Sequence, residues 1–430
     1  MNRVKQTVSY HLNQLSFSAW VIPGFLVAYL FFFVGPVFLN SLHTMQFFRY
    51  IPTIDPIGID LEQTLGFSQS WFIANKTPYI GDNSYPPFCS VVFSALLFVD
   101  FSTAYTIITV VNIVCYLFIT LVIPLITVAD KRLSPLLMLF VVTGLFSYGF
   151  QFELERGQFN VIAFTLCLLA IWIYHYQHKS RHWAYVLFSI SIQLKVFPAI
   201  FVIMFINDWP DWKNNIKRFL GLGAVNFALF FILGPRIFID FVNATVFKTM
   251  NPYVWVGNHS IRAFVTLIST TIHKYQIHNL FWLDKYLGLM QDVMLIFVIG
   301  CILLMMFWAY QQTQTGLNPY LLLACTLGAL LIPSVSHDYT LALLAAPVAM
   351  CFCTDRVIKH SDHRLRWLTS FLVFVFFLAY PATLFSNTNR PIFLANSLPV
   401  LMVMLLVTTV LFFIVNPAPL NVNKAFEPDV

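Results

Sequence analysis

A chain of 430 residues of which 59% are hydrophobic and 10% charged lacks the polar coat of a water-soluble fold, where about a quarter of residues carry charge. Its mean hydropathy of +0.77 and its 46 Phe suit surfaces that face hydrocarbon. The net charge of +6 does not point to nucleic acid, because no long basic run exists and cytoplasmic loops of membrane proteins carry Lys and Arg.

A spanning helix needs about 20 apolar residues. Runs of that kind occupy 19–42, 103–128, 134–150, 158–176, 183–206, 216–235, 290–311, 317–334, 336–353, 367–386 and 393–415. A shorter run, 86–99, would be only about 21 Å long as a helix, against a hydrocarbon core of roughly 30 Å. Backbone groups in lipid must be satisfied within their own segment, and the runs are too long and dense for a barrel. The expectation is an all-α polytopic membrane protein with about 11–12 apolar helices, some broken or half-membrane, in one transmembrane domain over 1–430.

Arg3, Lys5 and His11 precede the first run without a small-residue cleavage site. That run therefore reads as a signal anchor with its N-terminal side inside. Two polar stretches are long: 43–85, with Arg49, Asp55, Asp60, Glu62, Lys76 and Asp82, and 236–289, with Lys248, Trp255, Asn258, His259, Arg262, Asp284 and Lys285. Within the second, Ile261–Thr271 reads as a short helix at or dipping into the interface. The tail after Asn416 is polar and Pro-containing. Most of the seven cysteines lie inside apolar runs, and no CxxC spacing appears, so no disulfide framework is expected.

Charge bias places Lys131, Arg132, Lys179, Arg181, Lys213, Lys217, Arg218, Arg356, Lys359, Arg364 and Arg366 inside. Strict alternation of spans agrees after residue 207 and puts 236–289 and 334–338 outside. Before residue 207 it conflicts at Lys131 and Arg132. The conflict resolves if 86–99 and one half of 183–206 are half-membrane helices, with Pro198 breaking the latter just after Lys195. Broken helices at membrane depth are tolerated where they line a cavity.

Five polar sites stand out against this apolar background. Asp60, in Pro56-Ile57-Gly58-Ile59-Asp60, can draw a proton from an attacking hydroxyl, although its chemistry alone favours a solvated loop acid or an N-cap for a helix from Leu61. Gln151 to Asn160 holds Glu153, Glu155, Arg156, Gln158 and Asn160. There Arg156 can pair with phosphate and the two amides can bind sugar hydroxyls; an ion pair of Arg156 with Glu153 or Glu155 is the alternative. Lys195 lies mid-run, where insertion costs about 2.5–3.5 kcal/mol, so an anion or a cavity should compensate unless the side chain snorkels out. Gly257-Asn258-His259-Ser260 reads as a ligand loop or as a turn with an N-cap. Ser334-Val335-Ser336-His337-Asp338 offers a phosphate ligand or proton relay, or a capped tight connection. No HxxxH or paired-Asp spacing suggests a metal, and no Gly-rich phosphate loop suggests a nucleotide donor.

Taken in order, Asp60, Tyr85-Pro86-Pro87, Gly157-Gln158-Phe159-Asn160, Lys195-Val196-Phe197-Pro198, Gly257-Asn258-His259-Ser260 and Ser334-Val335-Ser336-His337 resemble the polytopic GT-C glycosyltransferases, most closely glycosyltransferase family 87. The resemblance runs over roughly residues 20–350. It implies a GT-C-type helical bundle with a catalytic module over 19–235 and an extra-cytoplasmic active site in a bacterial cytoplasmic membrane. It implies a sugar, mannose as first guess, carried on a polyprenyl phosphate and transferred with inversion to a glycolipid or polysaccharide acceptor of the cell envelope. Asp60 would be the general base. Lys195, Arg262, His337 and Arg156 would hold the donor phosphate. Gln158, Asn160, Asn258, His259 and Tyr85 would contact sugar or acceptor. No cofactor is predicted; metal dependence is not carried over, because GT-C glycosyltransferases differ in it, and the resemblance says nothing of oligomeric state. Two departures stand out: family members often have Asn-Gln-Ser at Asn258-His259-Ser260, and Trp or His at Asp338. A transporter or flippase for a lipid-linked sugar or anion, built on Lys195 and the Glu153–Arg156 cluster, is the alternative. Such proteins often carry inverted repeats, which this sequence does not display. A structural scaffold would leave Lys195 unexplained.

Overall fold

The computed structural model describes residues 57–81, 83–127, 144–145, 147–206, 209–251, 253–255, 257–311, 317–352 and 398–415. The expected anchor at 19–42, most of the run 134–150, the basic loop 354–366, the run 367–386 and the tail lie outside these residues. Among the described residues the fold is all-α; the one β feature is an isolated bridge between Asn258 and His337.

The helices are α1 Ile59–Phe72, α2 Pro87–Ser94, α3 Phe101–Leu117, α4 Ile123–Thr127, α5 Tyr148–Arg156, α6 Asn160–Tyr176, α7 Arg181–Leu194, α8 Trp212–Leu229, α9 Pro235–Met250, α10 Ile261–Lys274, α11 Leu287–Gln311, α12 Pro319–Leu331, α13 Ala345–Phe352 and α14 Leu398–Val415. A π segment, Phe118–Val122, joins α3 to α4, so Phe101–Thr127 runs as one helix of 27 residues. That is about 40 Å at 1.5 Å per residue, enough to cross a bilayer, as is α11 with its 25 residues. On α11 the apolar side chains Leu289, Val293, Ile296, Phe297, Leu303, Leu304 and Phe307 are exposed, which is stable only against hydrocarbon. The protein is an all-α polytopic membrane protein.

The chain divides into two compact units: Thr53–Phe118 with Glu153–Tyr253, and Met1–Pro52 with Ile119–Phe152 and Val254–Val430. In the first, α6 and α7 pack along each other, α1 packs on α2, and α2 meets α7. Their shared core is Leu61, Cys89, Phe93, Ile108, Phe159, Ala163 and Leu194. In the second, α12 is buried along its whole length and is flanked by α11, α13 and α14.

Two of the apolar runs do not form one continuous α-helix. The run 86–99 is α2 plus a single 3-10 segment, Ala95–Phe98. The run 183–206 ends as α-helix at Leu194; Lys195 is extended (φ −145°, ψ 136°), and Phe197–Phe205 continues as 3-10 helix with Pro198 at its start. Polar side chains close the far end of that 3-10 segment: His175 bonds the Met204 carbonyl at 2.8 Å, and Arg218 donates to that of Phe205 at 2.7 Å. The stretch 236–289, read as a polar loop, is largely helical. Pro235 at the first position after Gly234 starts α9, and Ser260 caps α10 through a bond from the Ala263 N–H at 3.1 Å.

Candidate active site

Asp60 is not an N-cap. The helix starts one residue earlier, its cap Gly58 has a left-handed φ of 83°, and Asp60 stands in the first turn. Its carboxylate, 22% exposed, is turned to the segment that links α5 to α6. There Gly157 (φ +65°) reverses the chain, and a Cβ on it would lie 2.8 Å from Leu61 Cβ. Only glycine allows both the conformation and the close approach. Beyond it α6 leaves α5 at 113°, and Gln158, 1% exposed, faces Asp60.

One hydrogen-bond chain runs through this point. Gln158 Nε2 donates to Asp60 Oδ2 at 2.6 Å. Gln158 Oε1 accepts from Lys195 Nζ at 2.8 Å. Lys195 Nζ also donates to Tyr85 Oη at 3.2 Å. The ammonium lies 4.3 Å and 4.2 Å from the ring centroids of Tyr85 and Phe159, within cation–π range. Lys195 is 8% exposed and does not snorkel; its extended backbone, freed from helical periodicity, is held among these partners. Desolvation, then the Asp60 carboxylate, raises the Tyr85 phenol above its ordinary range, so the hydroxyl stays neutral beside Lys195.

Glu153 has a different part from the ion pair that sequence proximity suggested. It is fully buried, accepts from Asn160 Nδ2 at 2.8 Å and from the Val161 N–H at 3.1 Å, and so caps the N-terminus of α6 from the preceding turn. Asn160, expected to face sugar, is thereby tied to Glu153, with a long 3.5 Å contact to Gln158 Oε1. Arg156 lies 3.4 Å from Glu155 and 4.0 Å from Asp60 Oδ1. Of the predicted residues, Asp60, Tyr85, Arg156, Gln158, Asn160 and Lys195 are thus brought together within one unit.

The remaining predicted residues belong to the other unit. Asn258 Oδ1 accepts from the Ser260 and Ser336 N–H groups at 3.2 and 2.9 Å, and His259 N–H donates to the Ser336 carbonyl at 2.6 Å. The His259 ring and Asp338 carboxylate, both buried, are hydrogen-bonded. A Cβ on Gly257 would lie 2.6 Å from Asp338 Oδ2, so glycine lets the loop settle on that carboxylate. Asp338 and His259, the two positions at which the sequence was expected to depart from the family pattern, therefore pair with each other. Trp255 Nε1 donates to His337 Nδ1 at 3.0 Å, a contact the sequence reading missed. Arg262 is half-buried at the second position of α10. Among the described residues no three His, Cys, Asp or Glu side chains converge to hold a metal ion.

A family model described as glycosyltransferase family 87 matches residues 83–334, more than half of the chain. No curated protein matches it. The matched segment includes Tyr85, Gln158, Asn160, Lys195 and Asn258, whereas Asp60 and His337 fall outside it. The match does not favour a transporter or flippase. This membrane protein belongs to glycosyltransferase family 87.

Proposed function

We propose that the protein is an inverting transferase that moves a monosaccharide, mannose as first candidate, from a polyprenyl phosphate to a glycolipid or polysaccharide acceptor. In this reading it works at the extra-cytoplasmic face of a bacterial cytoplasmic membrane. One observation carries the reading: the Gln158 carboxamide joins a partly exposed carboxylate, Asp60, to a buried ammonium, Lys195. Those are the two charges that such a transfer needs.

The acceptor hydroxyl attacks the anomeric carbon while Asp60 takes its proton. The bond from that carbon to the phosphate oxygen breaks, and its electrons leave with the lipid phosphate. Positive charge grows on the sugar and negative charge on the departing oxygen. An ammonium has three N–H donors. Tyr85 and Gln158 engage two of those on Lys195, and the third serves the phosphate. A fixed donor aimed at developing charge in a poorly hydrated place is worth far more than in water. Arg156, beside Asp60, serves as a further phosphate ligand, and Asn160, tied to Glu153, orders the start of α6.

Asp60→Asn tests the reading, because it keeps the shape and the acceptor oxygen for Gln158 but removes the base. Turnover of a prenyl-phosphate sugar in detergent should fall by about 10²–10⁴-fold, with donor binding largely retained. Wild-type-like turnover would overturn the assignment.

A further inference from the structure

We infer that Gln158 is a positioning residue that locks the base to the phosphate-binding cation, and is not a sugar ligand. The inference rests on the functional reading above and assigns a part within it. Every polar group of Gln158 is already engaged by the protein. Its N–H donates to the Glu153 carbonyl at 3.0 Å, and its carbonyl accepts from Asn112 Nδ2 at 2.6 Å. Its Oε1 accepts from Lys195 and its Nε2 donates to Asp60. A sugar hydroxyl could gain only the second hydrogen of Nε2.

Chemistry fixes which way the carboxamide points. An ammonium only donates and an ionised carboxylate only accepts, so Oε1 must face Lys195 and Nε2 must face Asp60. The amide thus reads the charge on both partners. It holds Asp60 Oδ2, which leaves Oδ1, the oxygen on the Arg156 side, to take the acceptor proton. Because both backbone groups of Gln158 are pinned as well, the side chain is a strut of set length between the two charges. Preorganisation of this kind acts on the chemical step and leaves ground-state binding nearly unchanged.

Two variants in detergent-purified full-length protein test the assignment. Gln158→Leu removes both charge-assisted bonds with little change in volume. It should lower kcat by about 10–100-fold with KM for donor and acceptor within about twofold. Gln158→Glu keeps the fold by pairing its carboxylate with Lys195, and sets a negative charge beside Asp60. The acidic limb of its kcat/KM profile should move to higher pH. A second arm needs no sugar: acylation of Lys195 by an amine-reactive reagent, read by mass spectrometry, should be slower in Gln158→Glu and faster in Gln158→Leu than in wild type. A defect confined to KM with an unmoved pH profile would make Gln158 a sugar ligand and overturn the inference, as would Lys195 acylation indifferent to both changes. If wild-type protein transfers nothing from a prenyl-phosphate sugar, the donor assignment fails, and the acylation arm still decides whether Gln158 holds Lys195.

Discussion

Gly157→Ala is the most discriminating perturbation of the site, because it adds one methyl group and touches no polar atom. Two costs arise. The first is conformational: a φ of +65° costs an L residue with a Cβ about 1–2 kcal/mol. The second is steric. The new Cβ would sit 2.8 Å from Leu61 Cβ, where ordinary contact begins at 3.4–4 Å, and Leu61 is fully buried in the core. Overpacking of that kind costs about 1–3 kcal/mol. Gly81→Ala is the built-in control. It has nearly the same φ, +62°, with no atom within 4 Å of its Cβ, so it meets only the first cost. Gly157→Ala should therefore unfold in detergent with a stability lower by about 2–5 kcal/mol, and Gly81→Ala by about 1–2 kcal/mol. Turnover separates them further. Relief of the clash needs about 0.6–1.2 Å of movement, and either Leu61 carries Asp60 with it or Gly157 carries Gln158. A misplacement near 1 Å costs roughly 10²-fold in rate, whereas Gly81→Ala should keep wild-type turnover. Equal thermal midpoints and equal rates for the two variants would refute the claim that the Gly157–Leu61 contact sets the Asp60–Gln158 geometry.

Two other consequences concern the second unit. Asn258→Ala leaves the buried Ser260 and Ser336 N–H groups without their acceptor and the Ser334 carbonyl without its Nδ2 donor, a loss of about 2–5 kcal/mol in unfolding free energy; Asn258→Asp keeps the acceptor but sets a carboxylate oxygen against that carbonyl, so it should recover only part of the loss in the same denaturation assay. Acid should loosen the end of α10. The Ser269 hydroxyl, then His273, holds the Asp284 carboxylate below its ordinary range. Its stabilisation is complete above the unfolded-state value of about 4 and is lost as pH falls through the lower folded value. Hydrogen exchange over 269–284 should accelerate there in wild type and lose that step in Asp284→Asn.

Asp60, the Glu153–Asn160 cluster and Lys195 were legible because ionisable groups are costly in an apolar chain and so stand out. The break was legible because Pro198 cannot continue an α-helix, although the helix ends already at Leu194, ahead of the expected place. What each polar group touches was less so. Either Glu155 or Glu153 reads as the ion-pair partner of Arg156; Glu155 takes that place at 3.4 Å, not Glu153. Only the reversal at Gly157 turns it instead onto the start of α6, and a positive φ leaves no mark beyond the glycine itself. The partners of Gln158 lie 98 and 37 residues away, and Trp255 is 82 residues from His337; one sequence holds no signal of such pairings. The helix α9 was missed because Asp240 and Lys248 interrupt its apolar pattern. Its one local signal was the Gly234-Pro235 pair, with proline at a position where the missing N–H costs nothing.

The three members of the hydrogen-bond chain share a placement that explains how so apolar a protein holds a polar site. Asp60 is followed by Leu61, Gln158 by Phe159, and Lys195 is preceded by Leu194; each of these apolar neighbours belongs to the same buried core. Each polar side chain thus leaves the backbone one residue from a side chain that packing has fixed. Interiors as dense as organic crystals resist shifts of even a methylene, so the core limits how far Asp60, Gln158 and Lys195 can drift from one another. Phe159 serves twice, filling the core and lending its face to the Lys195 ammonium. The same ring therefore couples packing to charge. Trimming it to leucine keeps most of the apolar volume and removes the cation–π contact, so its effect should fall more heavily on Lys195-dependent turnover than on stability. Equal losses in both would mean that the ring acts as core alone.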